Sequence, residues 1–277
     1  MPESISFDPI AHRYDATRGY PPEVAGEIAR RLREVGGIRQ GGELVEIGIG
    51  TGRIALPLIE QGINVFGVDI SANMVDLLRQ KYQTLRAADA TETLGALNVE
   101  LADMTALPYA DGRFDAGIAV HVLHLVPEWR RALDELQRVI RPGGNLLIGQ
   151  DVRVEDDVQW LAQREWLGVV RRLGFPAGYV GAAGYTAIVT ELERRGLAVS
   201  ETELARWEIR VTPREALTWI TERTWSRTWP VPDDIFAQSA RELTAWMERT
   251  YTGAMDMPQR VPVAFKVARA ELPSADA

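Results

Sequence analysis

Leu44-Val45-Glu46-Ile47-Gly48-Ile49-Gly50-Thr51-Gly52-Arg53 decides how this chain is read. A short apolar run, Leu44 to Ile47, carries one acid and runs straight into three glycines. Ile54 to Gln61 then reads as a helix. Glycines at a strand-to-helix turn let the backbone bend sharply and let a ligand approach it closely. A second apolar run, Val65-Phe66-Gly67-Val68, ends at Asp69, seventeen residues past Gly52. An acid at that place can hydrogen-bond a ribose. Together these residues describe a nucleoside-binding βαβ unit.

The glycine spacing narrows the nucleoside. A dinucleotide site uses Gly-x-Gly-x-x-Gly, with pyrophosphate on the helix N-terminus. This chain has Gly-x-Gly-x-Gly, with Glu46 two residues ahead. An acid beside the turn opposes a pyrophosphate and suits a ligand with a cationic amino group. A tight turn in an ordinary α/β protein is the plainer alternative.

Glu-x-Gly-x-Gly-x-Gly resembles the first motif of the class I S-adenosylmethionine-dependent methyltransferases. Further stretches match that family in order and spacing. Gly67-Val68-Asp69-Ile70-Ser71 resembles its motif after the second strand, and Ser71-Ala72-Asn73-Met74 opens the next helix. Leu101-Ala102-Asp103-Met104, followed by Leu107-Pro108, resembles its adenine-contacting turn. Phe114-Asp115-Ala116 begins its fourth strand, and Arg138 to Gly144 resembles its turn into the fifth. The resemblance covers roughly residues 7 to 151 and is nearest to the type 11, ubiquinone-biosynthesis-like branch that acts on small molecules. It implies S-adenosyl-L-methionine as cofactor and S-adenosyl-L-homocysteine as product.

Working outward, strands are predicted at about 44–48, 64–69, 97–102, 114–120, 144–150, 198–210 and 261–267. Helices fall at 22–35, where Pro22 suits a first helical turn, and at 53–61, 72–88 and 127–140. Alternating strands and helices give an α/β fold: a Rossmann-like, doubly wound, mostly parallel seven-stranded sheet. The resemblance adds a C-terminal antiparallel hairpin, where Pro262 fits an edge or an early strand position. In such sheets ligands sit outside the carboxyl ends of the strands, and Gly48, Asp69, Asp103 and Val120 all fall at such ends. The expected organisation is one domain over 1–277. It comprises an arm and helix (1–41), a cofactor core (42–150), a helical insert (151–196) and a strand (197–212). A tryptophan-rich helical insert (213–258) and a last strand with a frayed tail (259–277) complete it.

Roles follow from residue type and from the resemblance. Asp69 is expected to accept from both ribose hydroxyls; capping the helix at Ala72 falls more naturally to Ser71. Asp103 would accept from the adenine amine while the Met104 amide meets a ring nitrogen; the alternative is a turn aspartate. Ile70 and Met74 would flank the adenine, or Met74 is core filler. Glu46 would hold the methionine amino group directly, through water or through the arm, or be a strand residue facing solvent. Gly48, Gly50 and the Val120 backbone would line the methionine portion, with Thr51 adding a hydroxyl. Tyr14-Asp15-Ala16-Thr17-Arg18-Gly19-Tyr20-Pro21 resembles a family segment that folds over the cofactor. The resemblance implies that Tyr14 and Arg18 meet the methionine carboxylate or Glu46, the alternative being an arm packed on the surface. His121 and His124 follow the fourth strand where the methyl would point. Both are candidate general bases, with His124 put forward as catalytic and His121 also expected at the cofactor; a turn or pocket-wall histidine is the alternative for each.

Composition bounds the rest. The chain has 277 residues, 46% hydrophobic and 25% charged, with formal net charge −8. That supports a sizeable core and disfavours a nucleic-acid partner, which calls for a basic stripe. Cysteine is absent, so no disulfide, thiolate metal site or cysteine nucleophile exists. No metal-ligand cluster stands out. No signal peptide or spanning run is visible, so the expectation is a cytoplasmic protein without membrane insertion, as monomer or homodimer. The expected partner is a small-molecule acceptor whose own O, N or C atom attacks the sulfonium methyl in line, with the thioether as leaving group. The competing readings are a non-catalytic S-adenosylmethionine-binding protein and a nicotinamide-dependent oxidoreductase.

Overall fold

A computed structural model describes residues 4–89, 93–153 and 156–274. The chain divides into two compact units. The first takes Met1–Gln150, Val180–Ala205 and Phe265–Ala277, and the second takes Asp151–Tyr179 and Arg206–Ala264.

Seven strands form one sheet: β1 (Glu43–Ile47), β2 (Asn64–Asp69), β3 (Leu97–Leu101), β4 (Phe114–Val120), β5 (Ile140–Arg153), β6 (Val199–Val211) and β7 (Gln259–Glu271). Their order is β3-β2-β1-β4-β5-β7-β6. The pairs β1–β2, β1–β4, β2–β3 and β4–β5 are parallel, and β7–β6 closes the sheet as an antiparallel pair. Strand order reverses between β1 and β4, which makes their carboxyl ends the switch point where α/β sheets bind ligands. β1 is buried along almost its whole length, with β2 and β4 paired on its two edges.

The first unit holds helices α1 (Ala11–Arg18), α2 (Pro22–Val35), α3 (Ala55–Glu60), α4 (Ala72–Ala88), α5 (Trp129–Val139) and α7 (Tyr185–Arg194). α4 starts where Ser71 accepts from the Met74 amide at 3.2 Å, which satisfies one orphan donor of its first turn. Val45, Ile47, Phe66, Val68, Phe114, Leu136, Leu146 and Ile148 meet in the core.

Two expectations are corrected. β5 begins before the Pro-Gly-Gly turn rather than after it. Ile140 pairs with Phe114, and the ladder resumes only at Asn145 with Ala116. The residues between bulge outward, and Arg141 Nε anchors the bulge on Asp115 Oδ1 at 2.9 Å. β7 is an interior strand, so Pro262 does not lie on an edge; it sits near the strand start, where a missing N–H costs least. β7 runs to Glu271, and 275–277 of the expected tail lie outside the described residues.

The second unit is built from α6 (Val158–Arg172), α8 (Pro213–Thr221) and α9 (Asp233–Thr250), which pack on one another. Asp157 caps α6 through the amides of Gln159 and Trp160, and Thr212 with Glu215 forms a capping box on α8. Trp166 is fully buried, donates to Ser239 Oγ at 3.0 Å and lies 5.9 Å from the Trp225 ring. Trp207, Trp219 and Trp246 pack partly buried against the same core. These rings bring the apolar area that lets a small helical unit hold together. Among the described residues no helix is long and apolar enough to cross a membrane.

Candidate active site

The three glycines after β1 all take left-handed backbone, with φ of 65° at Gly48, 56° at Gly50 and 83° at Gly52. Their reasons differ. A Cβ on Gly48 would stand 2.3 Å from Val122 Cγ2, so the turn after β4 leaves no room there. A Cβ on Gly50 would meet nothing nearer than the Gly48 carbonyl at 4.0 Å, so Gly50 borders open space. The turn is held to β2 through Gly48 N and Ile49 N, which donate to the Val68 carbonyl at 2.9 and 3.1 Å.

Asp69 ends β2 and ties the two strand ends together. Its Oδ2 accepts from Gly50 N at 2.9 Å and its Oδ1 from Ser71 N at 2.9 Å. Burial raises its pKa, while the amides of Ser71, Gly50 and Ile70 oppose that rise. Glu46 lies inside β1 and is 3% exposed, and its Oε2 has no hydrogen-bond partner. Burial pushes its carboxyl up to about 8; the charge of Arg53 opposes the shift and that of Asp69 adds to it. A buried, unpartnered carboxyl is costly unless a ligand supplies its partner. The solvent-facing alternative for Glu46 is therefore corrected by its burial.

On the far side of β2, Asp103 follows β3 and its Oδ1 accepts from the Thr105 amide at 2.8 Å, an Asx turn that leaves the residue exposed. Met104 is buried beside it. Ile70 is 36% exposed, whereas Met74 is 2% exposed and packed inside α4. Of the two apolar faces considered for an adenine, only Ile70 is open in this structure.

β4 ends at Val120, and His121 follows with φ of 52°, a left-handed conformation in a residue with a side chain. Such outliers persist where surrounding structure over-determines them and cluster at functional sites. His124 lies in a single 3-10 turn, Leu123–Leu125. That turn is clamped from two directions. Gly181 N and Ala182 N donate to the His124 and Leu123 carbonyls at 3.1 and 3.0 Å, and Ile5 N donates to the Leu125 carbonyl at 3.0 Å.

The N-terminal arm lies on these strand ends. Asp8 Oδ1 accepts from Ser71 Oγ and from Asn73 N, the latter at 3.1 Å. Asp15 Oδ1 accepts from Thr51 Oγ1 at 2.5 Å, and Asp15 Oδ2 pairs with Lys81 Nζ. Thr51, considered as a hydroxyl for the ligand, thus donates to the arm. Arg18 lays its guanidinium over the rings of Phe7 and Tyr14, 5.2 Å from each centroid. Its carbonyl accepts from Arg53 Nη1 at 3.0 Å, and Arg53 stacks on Tyr20 at 4.8 Å. The sequence pattern gives roles to Tyr14 and Arg18 and none to Asp8, Asp15 or Lys81.

Residues 45–148 match the family described as methyltransferase domain. The chain carries a methyltransferase domain. Every site residue from Glu46 to His124 falls inside it, and the arm lies ahead of it. Demethylmenaquinone methyltransferase of Beutenbergia cavernae is 31% identical over 145 residues, 52% of this chain and 55% of that protein. The chain spans about half the length of the first curated relatives it matches. A putative type II methyltransferase structure from Anaeromyxobacter dehalogenans superposes with TM-score 0.56 at 21% identity, covering 92% of this chain and 98% of that one. Phosphoethanolamine N-methyltransferase 2 of Haemonchus contortus, in complex with S-adenosyl-L-methionine, gives TM-score 0.52 at 15% identity, covering 96% of this chain and 57% of that one. These structures share the fold of the methyltransferase domain.

Proposed function

We propose that this protein is an S-adenosylmethionine-dependent methyltransferase that serves a small-molecule acceptor. The observation that carries the reading is Glu46: an acid buried one residue from the end of β1, with an oxygen that has no partner, ahead of a glycine turn that borders open space. Such an acid, once ionised, pairs with the ammonium of a methionine moiety. When bound, S-adenosylmethionine supplies a sulfonium methyl whose leaving thioether needs no activation.

The chain's residues then bind and orient. Asp69 accepts from the ribose hydroxyls with the lone pairs its three amide contacts leave over. Asp103 and the Met104 amide take the adenine edge, with Ile70 on one face. Gly48, Gly50 and the Val120 and His121 backbone line the methionine portion. Tyr14 and Arg18 serve its carboxylate. His124 removes a proton from an oxygen, nitrogen or carbon acceptor where the acceptor requires it. Most of the acceleration comes from holding acceptor and methyl in line in a site closed to water. Labelled S-adenosylmethionine, offered with a panel of small phenols, amines and quinols, tests the reading. Label transferred to a small molecule supports it. Label found only on nucleic acid or protein counts against it.

A further inference from the structure

The second unit holds a buried positive charge that the proposed function leaves unused. A short 3-10 turn, Ser226–Thr228, sets Arg227 between two buried hydroxyl residues, Ser226 at 4% and Thr228 at 0% exposure. The turn is fixed from within, because Thr228 Oγ1 donates to the Trp225 carbonyl at 2.6 Å. Arg227 is half-buried. Its Nη2 donates to the Ala177 carbonyl at 2.9 Å, and its guanidinium lies 4.2 Å from the Tyr179 ring and 5.3 Å from the Trp225 ring. Its Nε is buried without a partner.

A guanidinium keeps its charge in a protein and brings several N–H donors. A carbonyl and two ring faces do not neutralise it. Among the described residues no carboxylate pairs with Arg227. Burial lowers its pKa; the Tyr179 hydroxyl opposes that shift and the charge of Arg171 adds to it. Arg171 stands exposed in the last turn of α6, and among the described residues it too has no carboxylate partner. A helix C-terminus favours one cation, which accounts for Arg171 and not for a second, half-buried one within reach of its charge. Neighbouring arginines are matched: Arg172 pairs with Glu242 at 3.3 Å and Arg223 with Asp233 at 2.7 Å. In a chain of net charge −8, two unmatched guanidiniums so close together call for a counter-charge from outside.

The chemistry of that partner follows from the donors. Guanidinium planes take carboxylate and phosphate oxygens in a fork. The Tyr179 and Trp225 rings offer apolar surface to whatever carries the oxyanion. Trp225 is backed by the fully buried Trp166, whereas Tyr179 is 37% exposed and forms the solvent-facing wall.

We propose that Arg171 and Arg227 form an oxyanion site in the second unit, walled by Tyr179 and Trp225, which takes the carboxylate or phosphate of the methyl acceptor. The acceptor half of this statement rests on the proposed function; the oxyanion site does not.

The test melts the full chain in about 10 mM inorganic phosphate, in about 10 mM benzoate and in chloride of matched ionic strength. One of the two probes should raise Tm by roughly 3 °C over chloride, and the probe that does so names the oxyanion. Arg227→Gln should abolish the rise. Arg227→Lys, which keeps the charge and loses the fork, should lose most of it, and the exposed Arg171→Gln at least about half. No rise with either probe, or the native rise in both Arg171→Gln and Arg227→Lys, would overturn the site. Labelled S-adenosylmethionine then reads the acceptor, offered with phenols that bear the favoured oxyanion and with the same phenols lacking it. The charged set should show a KM roughly tenfold lower, and Arg171→Gln should erase that advantage. Equal KM for the two sets would overturn the acceptor role. Failure of the native chain to bind S-adenosylhomocysteine would sink the methyltransferase reading and the acceptor role with it, while the thermal shifts still decide the oxyanion site.

Discussion

Glu46 makes cofactor binding a proton-linked event. With its carboxyl pushed up to about 8, most of the unliganded protein at pH 7 carries this group neutral. A ligand ammonium pairs with the ionised form, so binding must expel the proton. For a ligand that takes only the ionised form, apparent affinity is lowered by the factor 1 + 10^(pKa − pH), roughly 100 at pH 6 and roughly 4 at pH 7.5. Affinity for S-adenosylmethionine should therefore rise about 20-fold over that interval, close to 2 kcal/mol, with about 0.9 proton released per ligand at pH 7. The window stops at 7.5 because the ligand's own α-amino group titrates near 8. Calorimetry in buffers of different ionisation enthalpy reads both quantities. The sign follows from the direction of the shift: a raised carboxyl pKa disfavours the ionised form below 8, so binding strengthens as pH climbs. Glu46→Gln should bind more weakly at pH 7.5 and with a flat profile. A flat profile in the native chain, or an equal slope in Glu46→Gln, would refute the reasoning.

Other substitutions separate binding from packing. Asp69→Ala should weaken S-adenosylmethionine binding by roughly 100-fold, the loss of charge-assisted bonds to two hydroxyls, with circular dichroism unchanged; unaltered affinity would remove Asp69 from the ribose role. Gly48→Ala should destabilise the fold by about 3 kcal/mol in urea unfolding, since the added methyl strikes Val122 on a left-handed backbone. Gly50→Ala should cost only about 1 kcal/mol of stability yet abolish most affinity, because its methyl enters open space at the proposed site; equal effects of the two would deny them separate roles. His124→Ala should lower turnover at least roughly tenfold with cofactor affinity unchanged, and native turnover across a pH series would reduce His124 to a wall residue.

The parallel core was legible because its signals are local. Apolar runs ending in glycine or acid mark strand ends, and Ser71 marks a helix start; both rest on backbone geometry within a few residues. Asp69 could be placed at its strand end from sequence alone, whereas the bond it accepts from the Gly50 amide was not foreseen. What escaped depends on distant partners. The β5 bulge exists because Arg141 finds Asp115, and the interior place of β7 depends on which strand arrives beside β5. Met74 reads equally as ligand face or core filler until α4 is packed, when it turns out buried. The arm's contacts escaped for the same reason: Asp8 meets Ser71 across 63 residues and Asp15 meets Thr51 across 36, and neither pair has a sequence pattern. The tryptophan-rich insert 213–258 was legible as helical, and Trp219, Trp225 and Trp246 pack against their own unit's core.

Titration of the purified protein with S-adenosylmethionine, S-adenosylhomocysteine and NADH tests the central claim most directly. The account predicts saturable binding of both adenosyl ligands and none of NADH, because the turn has Gly-x-Gly-x-Gly spacing and not the dinucleotide Gly-x-Gly-x-x-Gly. Binding of NADH alone would contradict it.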